Sequence, residues 1–151
     1  MLFRSLDASN NVSFHYAVLN DLAAIPTTGS KTCDAGRFTA PSYVGGTSVS
    51  SSAGYFGTTT ASAALTFDGS GAHPSMVVNA TSNGSSGSVT VSGPVATTSS
   101  FAISGAFFGS GAGGILTVAD GGAGTVIVAG GYRVVLANGS SYLGVASFRC
   151  S

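Results

Sequence analysis

At 151 residues with zero formal net charge, the chain has the length of one ordinary domain, and such a domain buries about two-thirds of its unfolded surface. It has no Glu, no Gln, no Trp and one Lys, and charged residues make up only 7% of it, which excludes an electrostatic footprint for nucleic acid or an anionic membrane. The same shortage leaves amphipathic helices without the straight-chain polar residues that cover their wet faces, while a hydrophobic content of 44% excludes a disordered chain.

What remains is a single all-β domain. Val, Thr, Phe and Tyr fit a pleated, half-buried surface, and 23 glycines supply turns between short strands. Residues 1–11, with Leu2, Phe3 and Arg4 near the start, read as an N-terminal arm ahead of a β-sandwich domain over 12–151. Arg4 and Asp7 interrupt any signal-peptide core, and Gly and Ser break every apolar run before it could span a membrane. The chain is therefore expected to be made and used without export.

Period-two alternation begins at Val12, which places Val12, Phe14, Tyr16 and Val18 on one strand face and Ser13, His15 and Ala17 on the other. A short strand over 37–40 ends at Pro41, which cannot donate to a ladder. Segment 45–62 reads as a Ser/Thr/Gly-rich surface loop with weak strand character. The strand over 63–67 runs into a turn at Asp68-Gly69, and His73-Pro74 falls in a loop. Strands at 76–78 and 89–91 flank a long connection containing Asn83-Gly84. A strand over 101–104 leads towards Phe107 and Phe108, and those at 115–118 and 125–128 flank Asp120-Gly121-Gly122. The last pair, 132–136 and 142–148, brackets Asn138-Gly139, read as a type I′ turn with both central residues at positive φ. Turn signals recurring at this spacing point to a sandwich or barrel.

Catalysis needs convergent polar groups, and the sequence offers few. His15 and His73 are the candidate bases or ligands. The expectation is that no pocket brings either together with an Asp and a nucleophile, so no catalytic, cofactor-binding or metal residues are assigned and the chain is not read as an enzyme. Asp68 and Asp120 suit Asx-turns better than acid–base work. Gly109 to Gly114 fits the dinucleotide-loop pattern formally, but a strand rather than a helix follows it. Asn-x-Ser/Thr triplets begin at Asn11, Asn79, Asn83 and Asn138, as chance supplies in so Ser/Thr-rich a chain. Cys33 and Cys150 either close one disulfide or stay as two idle thiols in a reducing cytosol.

Three stretches carry a resemblance. Residues 12–19, a polar loop with Gly29, and then Gly36, Phe38, Thr39, Ala40 and Pro41 resemble the opening of the globular head family that groups the complement first-component head with tumour necrosis factor. Residues 64–69 and 141–148 are similar to later strands of that family. The resemblance implies a jelly-roll-like antiparallel sandwich that assembles as a homotrimer, a module used in bacteriophage tips and capsid surfaces. Phe107, Phe108 and Tyr132 would then fill a trimer axis, or else belong to an ordinary core. The function expected is that of a virion structural protein, a capsid decoration or cement protein assembled in the host cytoplasm. Its partners would be further copies of itself and a major capsid or other virion protein, with docking through Leu2, Phe3 and Arg4. The rival expectation is a tail-fibre or receptor-binding tip that recognises a host glycan.

Overall fold

The computed structural model describes residues 2–7, 12–49, 52–95, 102–103 and 111–151. Strands β1 (Leu2–Asp7), β2 (Val12–Ala17) and β9 (Ala102–Ile103) form one antiparallel sheet in the order β1-β2-β9. Strands β3 (Gly29–Thr32), β6 (Thr58–Asp68), β7 (Gly71–Ser82) and β8 (Ser85–Ser92) form a second in that order. In the third, β10 (Gly113–Gly122), β11 (Thr125–Val135) and β12 (Ser140–Cys150) lie side by side, and β12 also pairs with β4 (Arg37–Phe38) and β5 (Ser42–Gly46). The only helical element among the described residues is a 3-10 turn, Ser52–Tyr55. The chain is thus an all-β sandwich, as its composition requires. Its two large sheets are mostly meanders, with three consecutive strands staying in one sheet before the chain crosses to the other.

The main core lies between these two sheets. Leu65, Phe67, Met76, Val78, Val89 and Val91 face Val118, Val128, Tyr132, Val134, Tyr142 and Phe148. On its other side the β10–β12 sheet meets the β1–β2–β9 sheet, where Ala17 packs on Leu143 and Val145. A sheet covered on both faces has no wet face to mark with polar residues, which is why β11 and β12 lack clean alternation and are buried over most of their length. Glycines in these strands make room for neighbours. A Cβ at Gly144 would collide with the Tyr132 ring, and one at Gly130 would come within 2.7 Å of Leu116 Cδ2 and 2.8 Å of Met76 Cε. The sequence reading broke the chain at Ala129-Gly130-Gly131, yet β11 runs unbroken through it.

The chain turns a corner between the two large sheets just after β3. Past Thr32 it leaves β6 and pairs with the end of β12: the Thr32 N–H donates to the Ser151 carbonyl (3.0 Å) and the Ser151 N–H to the Thr32 carbonyl (2.9 Å). Cys33 and Cys150 face each other in this bridge and are joined by a disulfide, their Cα atoms 3.9 Å apart. From the opposite sheet, Lys31 Nζ donates to the Gly124 carbonyl at 2.9 Å.

Turn chemistry was legible, but its placement was not. The type I′ signature of two consecutive positive φ angles occurs at Asn83 (49°) and Gly84 (76°), where β7 and β8 close directly with Ser82 opposite Ser85. The expected long connection does not exist. Ala123 (50°) and Gly124 (75°) repeat the device between β10 and β11. At the last hairpin only Gly139 has positive φ (83°). There the Gly139 N–H donates to the Leu136 carbonyl and the Leu136 N–H to the Ser140 carbonyl, which is a longer loop closed by a left-handed glycine rather than a type I′ turn. Asn138 instead accepts the Ser140 N–H and hydroxyl at 3.0 and 2.6 Å. His73-Pro74 and 58–62 are strand rather than loop. Pro74 sits at a break in the β7–β8 ladder: the strand register stops at Ser75↔Ser92, and beyond Pro74 the pairing resumes only as the Ala72↔Val95 bridge.

Candidate functional site

The sequence-selected residues fall into separate places. Cys33 and Cys150 are the clamp just described, so Cys33 is no free nucleophile. Tyr132 is fully buried, with its hydroxyl 2.8 Å from Thr59 Oγ1, and burial pushes its pKa up to about 12 against that hydrogen bond. It is core and cannot line an axis between copies, which corrects one of its two readings. Phe107 and Phe108 lie outside the described residues. Leu2, Phe3 and Arg4 sit in β1, which pairs with β2 from Leu2↔Ala17 to Asp7↔Val12, so residues 2–7 of the expected arm form a sheet strand.

His15 reverses the expected face of the first strand. It is 1% exposed, while Tyr16 and Val18 are exposed at 36% and 59%. Its Nδ1 lies 2.7 Å from Thr39 Oγ1 and its Nε2 2.6 Å from Ser42 Oγ. The Val145 N–H in turn donates to Thr39 Oγ1 at 3.0 Å. A buried imidazole is tolerated when both nitrogens are hydrogen-bonded. Two hydroxyls from the 39–42 segment meet that need, pinning β2 to the sheet beneath. Alternation could not reveal this, because the partners lie more than twenty residues away.

His73, by contrast, does meet an Asp and a Ser, contrary to expectation. Its Nε2 lies 2.9 Å from Asp68 Oδ1 and 3.0 Å from Ser70 Oγ, and Ser70 Oγ donates to the same Oδ1 at 2.6 Å. The wiring differs from a nucleophilic relay. There the imidazole takes the serine proton on one nitrogen while the carboxylate holds the other. Here a single nitrogen faces both partners, and the serine proton goes straight to the carboxylate. The cluster closes the exposed β6–β7 turn, where the Ser70 N–H also donates to Asp68 Oδ1 at 2.8 Å, making the Asx-turn read from the sequence. The Ser70 hydroxyl and N–H, with His73, hold the Asp68 carboxyl down at about 2. Asp120 builds the same motif with the Gly122 N–H at 2.8 Å.

The outer face of the β3–β6–β7–β8 sheet is an organised polar surface. Strict alternation puts Thr58, Thr60, Ser62, Ala64 and Thr66 of β6 outward. Registered beside them are Thr81, Asn79, Val77, Ser75 and His73 of β7, then Ser86, Ser88, Thr90 and Ser92 of β8. Ser30 and Thr32 extend the array on β3. Across the β6–β7 pair, the Thr58 and Thr81 hydroxyls bond at 2.9 Å. Asp68, bonded to His73, ends β6 on this same face as a single carboxylate at the turn, and a shallow depression of about 450 Å³ lies at the far end, by Thr58, Thr60, Asn79, Thr81 and Ser88. No protein-family model, curated protein or solved structure matches the chain. The surface is therefore read from its own chemistry, which offers hydroxyl donors and acceptors in rows.

Proposed function

We propose that the chain is a non-catalytic structural protein of a bacteriophage virion, decorating the capsid surface as a homotrimer. The observation that carries this reading is the hydroxyl face, whose rows away from the Asp68 turn carry no charged side chain. Its groups are polar enough to keep the face wet in isolation, yet desolvating hydroxyls against hydroxyls is far cheaper than burying charges, which suits contact with a neutral neighbour in an assembly. The disulfide supports a working life outside a reducing cytosol, closing once the particle leaves the cell that assembled it. The N-terminal strand fits the docking role: β1 is the edge of its sheet, and an edge strand offers backbone groups for pairing with another chain. The resemblance to the complement and tumour necrosis factor heads adds the expectation of three-fold assembly.

Light scattering of the purified protein at micromolar concentration tests the assembly, with a mass three times 14.6 kDa expected and a stable monomer overturning the trimer. Cryo-electron microscopy of the native particle tests the location. Density for this fold on the capsid lattice is the expected result, and density only at the tail would replace decoration by attachment.

A further inference from the structure

A second surface feature stands apart from the hydroxyl face. On the middle sheet, β4 brings Arg37 directly opposite Ser147 of β12, and Arg149, two residues on, shares their face. Side chains related this way sit about 7–8 Å apart on a sheet surface. Ile127 of β11 lies opposite Arg149. The small sheet that covers this face ends with β2 at Ala17, and the chain beyond it leaves a pocket of about 540 Å³ walled by Leu19, Phe38 and Ile127, with Arg37, Ser147, Arg149 and Asp34 around it. Two of the chain's five cations thus flank one hydroxyl beside an apolar wall. Among the described residues, neither guanidinium has a carboxylate within salt-bridge distance; the ion pair among those residues, His73–Asp68, lies at the β6–β7 turn.

We propose that this pocket binds a hydroxylated carboxylate, an acidic sugar of the uronic type, wherever the protein sits in a particle. The guanidinium forks of Arg37 and Arg149 match a carboxylate bidentately, and Ser147 can donate to the same group. Leu19, Phe38 and Ile127 supply the apolar side that a sugar ring needs and an inorganic anion does not. Asp34 sets the discrimination. Its Oδ1 already accepts the Gly36 and Arg149 N–H groups, each at 3.0 Å, which leaves the other oxygen to accept a sugar hydroxyl. The same negative charge opposes a doubly charged sulfate or phosphate. Arg149 also donates to the Gly121 carbonyl and to Thr125 Oγ1 (3.2 Å), so its fork is held in place, whereas Arg37 is exposed and makes the cleaner variant.

The test is a titration of the intact, disulfide-bonded protein with sodium glucuronate, glucose and sodium sulfate, followed by amide chemical shifts. Saturable shifts at Phe38, Ser147 and Arg149 are expected with glucuronate, with glucose and sulfate each at least tenfold weaker. Arg37→Gln should weaken glucuronate at least tenfold without changing the melting temperature, while Ser62→Ala on the hydroxyl face leaves binding unchanged. Arg149→Gln should match Arg37→Gln, its melting curve reporting any loosening of the 121–125 turn. Unchanged affinity in Arg37→Gln, no saturable glucuronate response, glucose binding as tightly as glucuronate, or sulfate binding as tightly would each overturn the proposal.

Discussion

The sheet around β10, β11 and β12 and the one around β6, β7 and β8 are both built on three-strand meanders, yet they solve opposite problems. The second has a wet face and a dry face, and its sequence says so: β6 alternates from Thr58 to Asp68 with hardly an exception. The first is packed on both sides and sheds that alternation for small residues and glycines that let other layers approach. The difference teaches where the chain tolerates change. Outward residues of β6 and β8 contribute mainly to what the protein touches, while the buried residues of central β12, from Ser140 to Ala146 with Phe148 and Cys150, contribute to whether it folds.

The largest contrast is expected from truncation. Phe148→Ala removes a fully buried ring that packs edge-on against Phe38 at 5.8 Å, and should destabilise the domain by about 3–5 kcal/mol in chemical denaturation. Thr60→Ala on the hydroxyl face should stay within about 0.5 kcal/mol. Near-equal effects would break the distinction. Next comes the clamp between the two sheets. Closing a loop across 117 residues is worth about 4–5 kcal/mol in the chain-entropy account, with measured losses of about 2–5. The Cys33→Ser/Cys150→Ser double variant should therefore melt roughly 10 °C lower, at 2–4 °C per kcal/mol. An unchanged scanning-calorimetry midpoint would show that the corner holds without it.

Smaller effects sharpen the comparison at single glycines. Gly144→Ala pushes a methyl into the Tyr132 ring, and overpacking of this kind costs about 1–3 kcal/mol. Gly139→Val should destabilise by a comparable amount, because a β-branched residue resists a φ of 83°. Gly69→Ala, with no atom near its added methyl, is the matched control at the wet sheet's own turn, and urea midpoints compare all three. The smallest effect is electrostatic and confined to that turn. A carboxyl whose folded pKa is depressed to about 2 adds stability above its ordinary value near 3.8 and loses it as pH falls between the two. Asp68→Asn should thus melt lower than the parent at pH 6 and converge with it near pH 2. A gap that persists at pH 2 would assign the loss to something other than the charge.

Composition alone settled the all-β class. A chain without Glu or Gln and with one Lys cannot dress helices for water, and this conclusion needed no contacts. Local chemistry settled the Asx-turns at Asp68 and Asp120 and the presence of Asn-Gly hairpins, because a turn is decided by the few residues inside it. The hydroxyl face was implicit in the alternation of β6 and β8. Everything that depended on what lay opposite was decided by tertiary structure. The burial of His15 rather than Tyr16 required Thr39 and Ser42, and the continuity of β11 through Gly130 required Leu116 and Met76 pressing against it. Which Asn-Gly took two positive φ angles depended on strand register, and the pairing of Cys33 with Cys150 on a corner between two sheets. The pocket between Arg37 and Arg149 was the least legible of all. Its residues are scattered from Leu19 to Arg149 and share no motif, so only the pairing of β4 with β12 brings the two guanidinium groups onto one face.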